Sequence, residues 1–319
     1  MPGRDAATHA GTAPELTVAT FNLWGLNEPW RYTAERGEVR GAVPGSPATT
    51  LRLPGGAWTR RRPLLAAALA RVQPDVVGLQ EDWQNLEAGM HRRSQSAQLA
   101  HDLGLRAVYP PIVEPGRGRK GKAILSRHPV RRLTSVPLPA PAADVAASGP
   151  GVRDALHAVL DTPCGLLHFV VVHLTARDEA AQVAQVEGLL AYLCGLEERA
   201  GRGSLVVAGD FNARPDSPPV ALMTAADSDP AAPGSRGRGR LRDAWATANA
   251  GHAGHTMLFH TPRDPGERAA RFDYLFVGPG PEVGRAVLLG EEPDADGFYA
   301  SDHFGVAATL RWPQVQPVR

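Results

Sequence analysis

An α/β fold with mixed, largely antiparallel sheets is what this chain predicts, on three observations. Short apolar runs recur along its whole length without a strict strand-helix-strand rhythm, which argues against a doubly wound parallel sheet. Small polar clusters follow or interrupt these runs, as happens where buried strands deliver side chains to their ends. They are Thr20-Phe21-Asn22, Gly78-Leu79-Gln80-Glu81, His173-Leu174, Gly209-Asp210-Phe211-Asn212, Arg271-Phe272-Asp273-Tyr274 and Ser301-Asp302-His303. The clusters spread from residue 20 to residue 303, so neither half of the 319-residue chain holds a complete set. One domain over residues 15–313 is therefore expected, with residues 1–14 a disordered leader and 314–319 a tail. A hydrophobic fraction of 43% suffices for a sizeable core.

The elements follow in order. Leu16 to Phe21 is apolar and β-branched, so it should be the first core strand. Asn27 to Thr59 is rich in Gly, Pro and Thr and reads as a long loop. Arg61 to Val72 has helical spacing, with Pro63 tolerated in a first turn and Pro74 stopping it. Asp75 to Glu81 is a buried strand ending on a carboxylate, and Glu87 to Leu103 a helix closed by Gly104. Lys122 to Ser126, Ala155 to Leu160 and Leu166 to His173 read as strands. Asp178 to Arg199 carries Val183, Val186, Leu189, Leu190 and Leu193 at helical spacing. Leu205 to Gly209 is a short strand, and Ala225 to Leu241 a Gly/Pro/Arg/Asp-biased loop. Phe272 to Val277 and Phe304 to Leu310 are the last clear strands.

Composition excludes some classes. A net charge of +1 exerts no global pull toward nucleic acid or membranes. Locally, Arg117, Arg119, Lys120, Lys122, Arg127, Arg131 and Arg132 fall in an acid-free run, and Arg236, Arg238, Arg240 and Arg242 form a second group. Both flank segments expected near the site. Cys164 and Cys194 match no metal-ligand spacing. No run reaches the roughly 18 apolar residues of a spanning helix. Without a secretory signal in the first residues, a cytoplasmic protein is expected.

Two amides, several carboxylates and two histidines suit a hard divalent cation and a phosphate ester, since oxygen donors hold the one and imidazoles serve the other. Asp210 and Asn212, by strand alternation, should share a face. Taken in order, these motifs resemble the endonuclease/exonuclease/phosphatase family of metal-dependent phosphohydrolases. That family includes deoxyribonuclease-type nucleases, neutral sphingomyelinases and inositol-phosphate phosphatases. The resemblance runs from about Glu15 to Trp312. It implies a four-layer α/β/β/α sandwich, two packed and mostly antiparallel sheets flanked by helices.

The resemblance also implies roles. Glu81 is the principal metal ligand, and the metal is Mg2+, with Mn2+ or Ca2+ as alternatives. Asn22 orders the metal and phosphate, Asp210 orients or activates water or holds a second metal, and Asn212 contacts a phosphate oxygen. Asp302 is a metal or supporting carboxylate, and His303 a general base or transition-state stabiliser held by Asp273. His173 marks the deoxyribonuclease-like and sphingomyelinase-like branches, where it protonates the leaving oxygen or binds phosphate. Arg153 resembles an arginine that grips the scissile phosphate, while Asp243 and Thr256 read as structural supports. One departure stands out: Lys122 replaces the asparagine many members place before Ala-Ile-Leu-Ser, which loses an acceptor and adds a cation. The implied substrate is a phosphoester, either nucleic acid or a phospholipid or small phosphoester, and no protein partner is indicated. Gln80-Glu81-Asp82-Trp83 and Ser301-Asp302-His303-Phe304 lean toward the lipid class, the basic run toward nucleic acid. A binding or scaffold protein of the same fold, without chemistry, is the alternative.

Overall fold

In the computed structural model the described residues are 14–25, 30–33, 38–40, 56–84, 94–109, 119–142, 153–196, 200, 203–225, 241–257 and 269–313. All of the leader but Pro14, the tail, most of the 225–241 loop and Arg117 lie outside them.

Two six-stranded sheets stack face to face. The first contains β1 (Glu15–Asn22), β4 (Val76–Gln84), β5 (Arg106–Val108), β6 (Arg119–Ser126), β13 (Glu282–Leu289) and β15 (Gly305–Arg311), in the order β13-β15-β1-β4-β6-β5. The second contains β7 (Val130–Pro137), β8 (Asp154–Thr162), β9 (Gly165–His173), β10 (Ser204–Asp210), β11 (Arg242–Asp243) and β12 (Asp273–Val277), in the order β11-β12-β10-β9-β8-β7. A small third sheet joins β2 (Trp30–Thr33), β3 (Glu38–Arg40) and β14 (Phe298–Tyr299). Each large sheet is antiparallel except for one central pair, β1 with β4 and β9 with β10. A parallel pair needs a crossover, and here helices supply it. α1 (Gly56–Ala70) joins β1 to β4, and α3 (Glu179–Leu193) joins β9 to β10. α2 (Gln95–Leu103), α4 (Pro218–Thr224) and α5 (Ala244–Ala248) complete the described helices.

Burial explains why the strands read as continuous apolar runs. Side chains alternate between two different cores, so both faces are dry. Val18, Val76, Phe169, Val171, Val206 and Val306 pack between the sheets. Their neighbours Ala19 and Val77 turn outward to meet Trp58, Leu65 and Leu99 on α1 and α2. Val170, Val172 and Val207 likewise meet Val186, Leu189 and Met223 on α3 and α4. Three apolar layers therefore separate four structural ones, the sandwich the motifs imply. Each buried aliphatic or aromatic side chain contributes about 1.5–3 kcal/mol.

Four expectations need correction. The described parts of Asn27 to Thr59 include β2, β3 and the start of α1, so this stretch is not a plain loop. α1 begins at Gly56, which puts Pro63 inside the helix rather than in its first turn. The missing Pro63 N–H costs one hydrogen bond, and burial of Trp58, Arg61, Leu65 and Leu69 along one face offsets it. β4 does not end at Glu81 but runs to Gln84 through a bulge. The second helix starts at Gln95 among the described residues, with 85–93 outside them.

Candidate active site

The parallel pairs place the site, because their carboxyl ends point the same way. In the second sheet three polar side chains come abreast: the register pairs Asp210 with His173 on β9 and with Asp273 on β12. Gly209 precedes Asp210 at φ 145°, where a side chain would be strained. A Cβ there would lie 2.0 Å from the Val172 carbonyl oxygen, so only glycine lets β10 approach β9 this closely.

Asp210 Oδ2 is the meeting point. Asn22 Nδ2, from the end of β1 in the other sheet, donates to it at 2.9 Å. His173 Nε2 lies 3.5 Å from it and His303 Nε2 3.8 Å. Asp210 Oδ1 accepts the Asn212 N–H at 2.8 Å. Behind His303, Nδ1 bonds Asp273 Oδ2 at 2.8 Å, which aims Nε2 at the site. The Asn22 amide is fixed at both ends, since its Oδ1 accepts the Trp24 N–H at 2.9 Å.

Glu81 arrives by the bulge. Leu79 pairs with Ala123 and Asp82 with Gly121, so Gln80 and Glu81 together oppose Lys122. Glu81 takes φ 52°, a left-handed conformation rare for a non-glycine residue and held by the surrounding sheet. Its charge is felt at both His173 and Asp302. Asn212 reaches the site differently from expectation. β10 stops at Asp210 and Asn212 adopts φ 49°, so a turn and not strand alternation brings the two together. Asn212 Nδ2 donates to the Leu174 carbonyl at 3.0 Å. Arg153 sits at the rim, with Nη1 on the carbonyls of His173 and Leu174 at 3.2 and 3.3 Å.

The expected supports fall into place. Thr256 Oγ1 accepts the N–H groups of Phe272 and Asp273 at 3.0 and 3.2 Å, and its carbonyl accepts the Phe304 N–H at 2.6 Å. Asp243 caps α5 and forms a buried ion pair with Arg271. Sequence reading missed two polar groups behind Glu81. The buried Asp82 carboxylate accepts Ser96 N–H at 2.9 Å and Ser96 Oγ–H at 2.5 Å. Gln95 Nε2 donates to the Gly25 carbonyl at 2.7 Å. For Asp82, a carboxylate following Glu81 within the strand was the available signal; for Gln95, on α2, the sequence offered none. The Lys122 departure resolves into a buried ion pair with Asp154, which also accepts from Ser135 Oγ at 2.5 Å.

Charge at the site is uneven. Burial would lower the His303 pKa, but Asp273, then Asp210 and Asp302, raise it well above the ordinary imidazole value. Burial lowers that of His173, aided by Arg153 and Lys122 against Asp210 and Glu81. Burial raises the Asp210 carboxyl, opposed first by His303. Asp302 is pushed up to about 6, by its dense surroundings first and by Glu81 and Asp210 as well. It keeps some solvent contact.

The sequence matches the profile of the Endonuclease/Exonuclease/phosphatase family over residues 19–303, most of its length. The chain belongs to this family. Among solved structures, an endonuclease/exonuclease/phosphatase from Beutenbergia cavernae is 24% identical with a TM-score of 0.58, over 93% of this chain and 72% of that one. Truncated Caenorhabditis elegans TDP2 is 17% identical with a TM-score of 0.61, over 93% and 97%. D. rerio TDP2 complexed with single strand DNA product is 19% identical with a TM-score of 0.60, over 93% and 99%. At these identities the likeness is one of fold. A search of curated proteins finds no match.

Family members are generally phosphoester hydrolases that depend on divalent metals. The residues here fit such an ion. Glu81 and Asp210 both lie close enough to raise the proton affinity of Asp302, the repulsion a divalent cation relieves. Asp273 Oδ1 is buried without a hydrogen-bond partner. Among the described residues, Asp210, Asp273 and His303 form a group of candidate ligands with atoms within 4.8 Å of one another. In that trio Asp273 and His303 are already bonded to each other. The oxygen donors of Asn22, Glu81, Asp210 and Asp302 better suit a hard cation.

The basic run behaves otherwise than expected. Lys122 lies at the site end of β6, but the strand then leads away, about 3.3 Å per residue. Arg127 and Arg131 stand at the opposite end, paired with Asp75 and Asp161 at 3.3 and 2.8 Å. Arg242, also at that end of its sheet, donates to the carbonyls of Gly278 and Pro281. No described helix is long and apolar enough to cross a membrane.

Proposed function

We propose that the protein is a Mg2+-dependent hydrolase of phosphodiester bonds, working by in-line attack of an activated water. The convergence of Asn22, His173 and His303 on Asp210 Oδ2 carries this reading. Asp210, its basicity raised by burial, takes the proton of the attacking water. His303, charged through Asp273, donates from Nε2 to a phosphoryl oxygen as negative charge builds. That favours the stabilising role over the basic one. His173 rests neutral, and an arriving phosphate anion favours its protonation, after which it delivers that proton to the leaving oxygen. Arg153 and Asn212 grip phosphate oxygens. Asn22, Glu81, Asp210 and Asp302 would hold the cation, which when bound would neutralise phosphate charge as a Lewis acid.

Among phosphodiesters we place nucleic acid first, supported by the family and by the single-strand DNA product in the D. rerio TDP2 structure. A phospholipid is the second reading, favoured by one observation. The third sheet pairs Tyr299 with Trp30 and Phe298 with Arg31, gathering the chain's two small aromatic spots just before Ser301. Yet Phe298 lies under Arg60, 3.9 Å from its ring centre, and Tyr299 packs on Phe304.

A panel of single- and double-stranded DNA, RNA, abasic DNA, sphingomyelin vesicles and inositol phosphates, each with Mg2+ or EDTA, tests the proposal. Mg2+-dependent turnover of a polynucleotide is expected, with Glu81→Gln losing it and keeping its fold. A protein that binds Mg2+ and turns over nothing on the panel returns the scaffold reading.

A further inference from the structure

Arg61 heads the largest fully buried side chains of the described residues. It faces inward from α1, and its guanidinium reaches main-chain carbonyls on two segments far apart in sequence. Nε donates to Ala300 O at 2.6 Å, Nη1 to Gly25 O at 3.0 Å, and Nη2 to Leu23 O. Leu23 and Gly25 follow Asn22, and Ala300 precedes Ser301-Asp302-His303. A second tie joins the same two segments: Ser301 Oγ donates to the Asn22 carbonyl at 2.7 Å. The Trp24 and Trp58 rings flank the guanidinium at 5.4 and 5.9 Å.

Core filling alone does not explain this residue. Burying a guanidinium costs several kcal/mol, and a hydrocarbon side chain would fill the volume without that cost. What the guanidinium offers is a rigid fork of donors that holds several carbonyls in one plane, which a lysine point charge cannot do. The carbonyls it holds adjoin Asn22, and the Asn22 amide in turn orients Asp210 Oδ2.

We propose that Arg61 is a positioning residue for the reaction: it clamps the segment after Asn22 to the segment before Ser301, and so sets Asn22 and Asp210 against Asp302 and His303. The inference rests on the hydrolase reading above for its kinetic arm only. Arg61→Lys keeps the charge and loses the fork. It should lower kcat by roughly 10- to 100-fold, as small misplacements of catalytic groups do, with KM little changed. Ser301→Ala removes the second tie through one hydroxyl, which also contacts Asp302 Oδ1 and the His303 N–H, and serves if Arg61→Lys does not fold. Because both ties hold one displacement, the double variant should lose no more than the worse single one. The readout independent of turnover is the NMR signal of the Asn22 side-chain NH2. It should move toward the solvent-exposed position in each variant, whereas weakened packing alone lowers Tm and leaves it in place. An unmoved Asn22 signal in folded Arg61→Lys, or in Ser301→Ala where the lysine variant does not fold, overturns the clamp, as does full multiplicativity of the two kcat losses. If the wild type cleaves no phosphoester, the hydrolase reading falls while the Asn22 signal still decides the clamp.

Discussion

A histidine with 5% exposure loses the hydration that favours its charged form, so burial alone would leave His303 neutral near pH 7. Asp273 reverses this, with one oxygen 2.8 Å from Nδ1 and its full charge behind it. The sign follows: His303 is charged below its raised pKa and loses that charge as pH rises through it. If His303 donates to the phosphoryl oxygen, kcat/KM falls on that alkaline limb. Asp273→Asn keeps the shape and removes the charge, so the limb should move to lower pH. An unmoved limb in a folded Asp273→Asn variant means that another group sets it. Asp273 and His303 were legible because each sits beside a short recognisable motif. Arg61 was not, and Lys122 stood out only as a departure from the family pattern, with no sign of its buried partner. A helix arginine and a strand lysine look like solvated charges until the fold turns them inward against carbonyls and against Asp154.

Strand ends, more than whole strands, carry the chemistry. Periodicity located β1, β9, β10, β12 and β15 within about a residue, because each is apolar on two buried faces. It missed β13 and β7, whose outward faces are mixed, and the bulge that turns Glu81 into the site, because a register shift leaves no mark on hydrophobic pattern. Gly209 shows what such local geometry demands. With φ 145° and the Val172 carbonyl oxygen 2.0 Å from any Cβ, Gly209→Ala must push β10 away from β9. Backbone strain and overpacking together should cost roughly 3 kcal/mol, measured by urea unfolding. A loss below about 0.5 kcal/mol, the ordinary range for a surface substitution, would mean the two strands are not held this close.

At the scale of the molecule, the two parallel pairs open toward one end and leave the other end to hairpins and paired surface charge. That geometry divides the basic run, which sequence could only read as continuous. Serine at Arg127, Arg131 and Arg132 should leave the salt dependence of polynucleotide binding unchanged, since these residues sit at the far end and Arg127 and Arg131 already hold Asp75 and Asp161. Serine at Arg117, Arg119 and Lys120 should flatten it by about 1 for each phosphate no longer neutralised. Equal effects of the two triple variants would contradict the division. The family and the sheet architecture were legible because the motifs keep their order along the chain, and the order also named Asn22, His173, Asp210, Asp273 and His303, which the fold brings together. The crossing of β1 with β10 and β12, which lets Asn22 meet Asp210, was not, since it joins residues 188 apart. That meeting point is the centre of the account, and single-turnover cleavage of an end-labelled single-stranded oligonucleotide by Asp210→Asn tests it most directly. With Mg2+ the wild type should cleave and with EDTA it should not, while the variant, folded and still binding Mg2+, should be slower by roughly 10²–10⁴-fold. An Asp210→Asn variant that cleaves at the wild-type rate would contradict it.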